Sequence, residues 1–133
     1  MQRRKFIHLS AAGGVAIGFA GLSCNHARSA FYSVLDKPRQ LSYILDTKSI
    51  RDIGIGYRKQ VPAENEEDTL VKLLSLDSSG NAVSASAEKV FAETVIDQKI
   101  TRDFETGNTV VVKGWILAIT EARQCALFYL NNQ

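Results

Sequence analysis

Histidine is scarce in this chain. Only His8 and His26 occur, both near the N-terminus, so the body of the sequence has no imidazole. Most hydrolase triads and acid–base sites rely on one. Cysteine is equally sparse, with one residue at position 24 and one at 125. No cluster of His, Cys and carboxylate residues has metal-ligand spacing. The loop Asp77-Ser78-Ser79-Gly80-Asn81 lacks the alternating oxygen ligands and closing Glu of a calcium loop. Gly54-Ile55-Gly56 lacks the third glycine and the preceding strand of a dinucleotide fingerprint. An excess of one charge is also missing, since 16 basic side chains face 14 acidic ones. No stretch is both basic and aromatic, which argues against nucleic-acid binding. Long apolar runs are absent too. A membrane-spanning helix needs about 20 mostly apolar residues, and the run from Leu9 to Leu22 is shorter and diluted by Gly13, Gly14, Gly18 and Gly21.

What is present begins with the N-terminus. Arg3, Arg4 and Lys5 form a basic head in front of that diluted apolar stretch, the layout of an export signal. The run Arg3-Arg4-Lys5-Phe6-Ile7 resembles the bacterial twin-arginine translocation signal, with Phe6 and Ile7 in place of its apolar pair. Gln2 and His8 depart from the residues usual there. The resemblance implies export of folded cargo, often with a cofactor or partner already bound. Cys24 stands where a lipoprotein signal carries its lipid, which would hold the protein at a membrane surface. Gly21-Leu22-Ser23 matches that box incompletely, and a competing cut lies before Ala30. The expected organisation is a signal over residues 1–23, a tether over 24–37 whose Phe31 and Tyr32 pack on the domain edge, and a single domain over 38–133. Removing Arg3, Arg4 and Lys5 with the signal leaves 13 basic against 14 acidic side chains, so the mature protein is nearly neutral.

The domain is expected to be mainly α in an α+β sense: a small helical domain of about four to five helices with a C-terminal β-hairpin. Pro38 opens a first helix with Leu41, Ile44 and Leu45 at helical spacing. Asp46 and Thr47 cap a second, whose apolar face is Ile50, Ile53 and Tyr57. Gly54 beside that face costs about 1 kcal/mol relative to Ala unless another backbone approaches it. Pro62 ends the element. Glu64, Glu66, Glu67 and Asp68 suit the positive end of a helix dipole, and Leu70, Val71, Leu73, Leu74 and Leu76 give that third helix its buried stripe. A fourth helix over about 86–105 repeats Ala92, Ile96, Ile100 and Phe104 at steps of four, widened by Phe91 and Val95. Lys99 and Arg102 are placed on its opposite, solvated side, and Asp103 and Glu105 are read as solvated charges. Gly107 stops it. The runs Thr109–Val112 and Trp115–Ala118 flank Lys113-Gly114 and predict a hairpin, with Trp115 as its anchor. Thr120 is expected to cap a last helix running to about Leu130.

Several motifs resemble a group of small twin-arginine-exported bacterial proteins of uncharacterised function: Ile53-Gly54-Ile55-Gly56-Tyr57, Asp103-Phe104-Glu105-Thr106-Gly107, and Gly114-Trp115-Ile116-Leu117 leading into Thr120-Glu121-Ala122-Arg123. A weaker architectural resemblance is to the small helical subunit of membrane-bound flavin dehydrogenases of sugars and sugar acids, although those subunits are usually larger. These resemblances imply a non-catalytic accessory or assembly subunit of a periplasmic or membrane-associated redox complex, with a larger exported redox subunit as partner. The candidate contacts are Trp115, Arg123 and Phe128. Arg123 has a competing reading as an internal ion pair with Glu121 or Asp103. A stand-alone, lipid-anchored periplasmic domain that binds a ligand or stabilises the envelope is the alternative. An enzyme using carboxylates, Tyr57 or Cys125 ranks last. No cofactor, metal or catalytic residue is assigned. Cys125, flanked by Ala126 and Leu127, reads as a small buried hydrophobe, or as one half of a bridge to Cys24.

Overall fold

A computed structural model describes residues 31–133. The export-signal residues Arg3, Arg4, Phe6 and Ile7, and the candidate lipid site Cys24, lie outside the described residues. Within that span the fold is mostly helical, with one short antiparallel hairpin near the C-terminus. Helix α1 is Thr47–Gln60, α2 is Glu67–Leu74, α3 is Lys89–Thr106 and α4 is Ile119–Asn131; strands β1, Thr109–Val112, and β2, Trp115–Ala118, join α3 to α4.

The start of α1 is fixed by chemistry visible in the sequence. The Asp46 carboxylate accepts the Ser49 backbone N–H at 2.8 Å, satisfying one of the free amides of the first turn. Ile50, Ile53 and Tyr57 then face inward. The helix ends at Gln60, just ahead of Pro62, which opens a single 3-10 turn, Pro62–Glu64. The helix expected across 38–45 shrinks to another such turn, Leu41–Tyr43. Leu41 is buried, but Ile44 is exposed. Asp46 must be extended to cap α1, and this breaks any continuous helix through the segment.

Residues 31–37 correct the expected tether. Residues 31–35 are helical, and Phe31, Val34 and Leu35 belong to the core. Gln124 on α4 donates to the Val34 and Lys37 carbonyls at 3.3 and 3.1 Å, and the Tyr32 hydroxyl donates to Glu67. Buried side chains and these bonds make the segment part of the domain.

Helix α4 is the axis of the fold and packs on α1, α2, α3 and both strands. Ala122, Cys125, Ala126 and Leu127 are fully buried along it, and the small ones let neighbours come close. The approach is tightest at α1, where a Cβ added at Gly54 would lie 2.3 Å from the Cys125 carbonyl oxygen. Another backbone does meet Gly54, so its low helix propensity is offset by a contact no other residue allows.

Helix α3 ends in a Schellman turn: Asn108 N–H reaches the Asp103 carbonyl at 2.8 Å, and Gly107, at φ 75°, takes the left-handed position. The hairpin has the expected register, with Val112 opposite Trp115 and Val111 opposite Ile116. Lys113 and Gly114 both have positive φ, 54° and 83°, as a two-residue turn matching strand twist requires. Its inner face is held by Val112 and Leu117, each 1% exposed. Trp115 is not the buried anchor expected of it, being 42% exposed.

Candidate functional site: a polar cleft at the start of the last helix

The buried face of α3 differs from the expected one, and the difference creates the site. A row at steps of four drifts, because 3.6 residues per turn leave each step about 40° ahead of the last. By Phe104 the row has left the core, and Phe104 and Phe91 are exposed. The inward stripe instead passes through Ala92, Val95, Ile96, Lys99, Ile100 and Asp103. Lys99 and Asp103, both read as solvated from sequence, are each 8% exposed.

Lys99 reaches across to the end of α2. Its Nζ donates to the Leu73 and Leu74 carbonyls at 3.0 and 3.4 Å, where the negative end of the α2 dipole favours a cation. Burial pushes its pKa down to about 8, and the nearby Arg123 charge pushes the same way, with Asp103 and Asp77 pulling weakly against them. Among the described residues Lys99 forms no salt bridge.

Asp103, one turn further along α3, is spent on the start of α4. Its Oδ2 accepts the Thr120 backbone N–H at 2.9 Å and its Oδ1 the Asn108 side-chain amide at 3.4 Å. A carboxylate from another helix therefore supplies the capping acceptor that Thr120 was expected to provide. The helix starts two residues earlier than expected, at Ile119, with Ala118 as its N-cap. The Glu121 carboxylate turns back to accept the Ala118 N–H at 3.1 Å, and burial raises its pKa. The Thr120 hydroxyl oxygen, freed from capping, is buried without a hydrogen-bond partner.

Arg123 is an internal ion pair, but not with Glu121 or Asp103. It grips Glu64 in two places, Nε to Oε1 at 2.7 Å and Nη2 to Oε2 at 3.0 Å. The Tyr57 hydroxyl, fully enclosed, donates to the same Glu64 Oε1 at 2.7 Å. The Arg123 hydrogen bonds hold the Glu64 pKa below its ordinary value, while burial and the neighbouring Glu64 carboxylate raise that of Tyr57. Glu64 thus belongs to a cross-link between α4 and the 3-10 turn, not to the helix start where its charge pattern had placed it.

Lys99, Asp103, Thr120 and Arg123 together wall a cleft of about 300 Å³, closed by Asp77 of the loop after α2 and by Arg102 on the rim. A smaller one of about 200 Å³ lies between residues 33–42 and α3, with an Arg39–Asp97 ion pair of 2.6 Å on its edge.

The other sequence-derived candidates lie apart from this cleft. Trp115 shares the hairpin with exposed Val111 and Ile116. Phe128 packs half-buried against the core. Cys125 is free and wholly enclosed, and burial pushes its thiol pKa far up, which suits an inert core residue. Among the described residues no group of three His, Cys, Asp or Glu side chains is placed to hold a metal ion, and no helix is long and apolar enough to cross a membrane. No family model, curated protein or solved structure matches the chain.

Proposed function

We propose that the chain is an exported, non-catalytic accessory subunit that docks on a larger exported redox subunit through the outer face of its hairpin. The observation that carries this reading is the cross-strand pair Val111 and Ile116, 55% and 68% exposed on the outer face. Two large apolar side chains opposite each other on a two-residue-turn hairpin form a preorganised contact face, while Trp115, paired with Val112, lies on the other face of the hairpin. Val112 and Leu117 commit the inner face to the core, so the outer pair has no structural task within the domain. The twin-arginine-like signal supports the reading because that route carries folded cargo, often with a cofactor or partner already bound. The redox character of the partner rests on the architectural resemblance.

A photo-crosslinking residue at Ile116, and a control at exposed Ser84, test the reading in the native host. The expected outcome is one discrete adduct from position 116 alone, identified by mass spectrometry as an exported oxidoreductase subunit. Equal labelling at both positions, or none at 116, overturns it. A stand-alone, lipid-anchored binding domain is the second reading, and the polar cleft beside α4 is what favours it.

A further inference from the structure

We propose that the cleft between α3, the loop after α2 and the first turn of α4 binds a small organic monoanion through its carboxylate. The claim goes beyond hairpin docking and is independent of it. The argument rests on a charge that has no direct counter-ion. An ammonium out of water is costly unless paired, and Lys99 Nζ has only two main-chain carbonyls. The acidic groups nearest to it are committed elsewhere. Asp103 holds the Thr120 and Asn108 N–H groups. Asp77 Oδ1 accepts from the Ser79 and Asn81 amides of its own loop, at 2.9 Å each. Glu64 is taken by Arg123 and Tyr57.

The remaining donors converge on the same space. The Thr120 hydroxyl, on a residue 1% exposed, has no partner. Lys99 has a third N–H beyond its two carbonyl contacts. Arg102 stands on the rim and enters no ion pair among the described residues. An incoming carboxylate would accept from all three and give Lys99 a direct counter-ion.

The walls also select the class of anion. Lys99 and Arg102 bring two positive charges and Asp77 and Asp103 two negative ones, the Arg123 charge being neutralised by Glu64, so the lining has no net charge to spare. One carboxylate adds a single negative charge to that lining and a phosphate dianion adds two, at a larger electrostatic cost. A volume of about 300 Å³ is at the small end for ligand sites, so the molecule has few heavy atoms.

The test is titration of the ¹⁵N-labelled full chain with acetate, lactate, phosphate and chloride at matched ionic strength. Amide shifts and thermal midpoints are followed together. Carboxylates are expected to shift the Lys99, Asn108, Thr120 and Arg123 amides saturably and to raise the midpoint, whereas chloride does neither. Lys99→Met should weaken carboxylate binding by ~10-fold or more, the loss of one charged hydrogen bond. Arg102→Gln, on the exposed rim and so safe for folding, should weaken it by about threefold. Ile116→Asp should leave it unchanged, which separates this site from the hairpin face. Equal shifts with chloride, tighter binding of phosphate than of carboxylates, or an undiminished response in Arg102→Gln would overturn the proposal.

Discussion

Helix α4 has two unlike sides. Toward α1 it forms a dry seam in which Gly54 lies on the Cys125 carbonyl, and Arg51 and Arg58 flank the Tyr129 ring, their guanidinium carbons 5.6 and 5.5 Å from its centre. Toward α3 and the loop after α2 it presents Thr120 and Arg123 to a cleft walled by Lys99 and Asp103. The seam has no room to spare and no unmet polar group. The cleft has empty volume, a buried ammonium without a salt bridge and a hydroxyl without a partner. Close packing is where a small domain gains stability. Unmet polarity costs stability, and retaining it points to a ligand.

Adding one methyl to the seam is the harshest way to probe that contrast. Gly54→Ala should cost about 3 kcal/mol in urea denaturation, because the clash is with backbone that cannot rotate away. A loss under 1 kcal/mol would mean that the two helices separate easily. Next comes the cross-link at the edge of the cleft. Glu64→Ala strands the Arg123 guanidinium and the Tyr57 hydroxyl together and should cost about 2 kcal/mol by the same measurement.

Lys99 gives an effect of similar size that depends on pH. The unfolded chain keeps this proton up to its ordinary pKa of 10.5, and the folded chain releases it at about 8. Between those values unfolding takes up a proton, so the contribution of Lys99 to stability rises with pH; below about 8 its penalty is present in full. Wild type should therefore gain on the order of 2 kcal/mol relative to Lys99→Met between pH 8 and 10.5. Both proteins carry Cys125 and the tyrosines, so the difference isolates this one side chain. A flat difference across that range would refute the depressed pKa. The gentlest change belongs to neither side of α4. Val111→Thr with Ile116→Thr should alter stability by no more than about 0.5 kcal/mol, since the outer hairpin face supports nothing in the core.

Local features were legible in the sequence because their physics is local. Asp46 at its cap, Gly107 at its stop and Lys113-Gly114 at the turn each act within a few residues, and the fold class follows from them. Gly54 was legible as a conditional: a glycine beside an apolar face is tolerable if a backbone meets it. The candidate site was mostly illegible. Arg123 and Glu64 lie 59 positions apart, and no spacing rule connects them. Asp103 replaces Thr120 as the capping acceptor only because the hairpin folds the two together. The error along α3 was one of geometry, since a row at steps of four was extended past the point where it leaves the buried side. A stripe alternating steps of three and four would have turned Lys99 and Asp103 inward. Phe31 and Tyr32 were expected at the domain edge and do pack there, but the helix at 31–35 and the burial of Val34 and Leu35 were missed, because the apolar residues span barely one turn amid Ser, Tyr and Asp.

Asp103 has one more consequence, for the entropy cost of assembling the chain. Its contact with the Thr120 amide closes a loop of 17 positions, and Ile119 N–H meets the Asn108 carbonyl at 3.1 Å inside the same neck. Short loops lose little entropy on closing, so this corner is able to form from neighbouring sequence alone. The meeting of Gly54 with Cys125 closes a far longer loop and costs more entropy. The corner with the shorter loop to close is the one that joins the hairpin to both of its flanking helices.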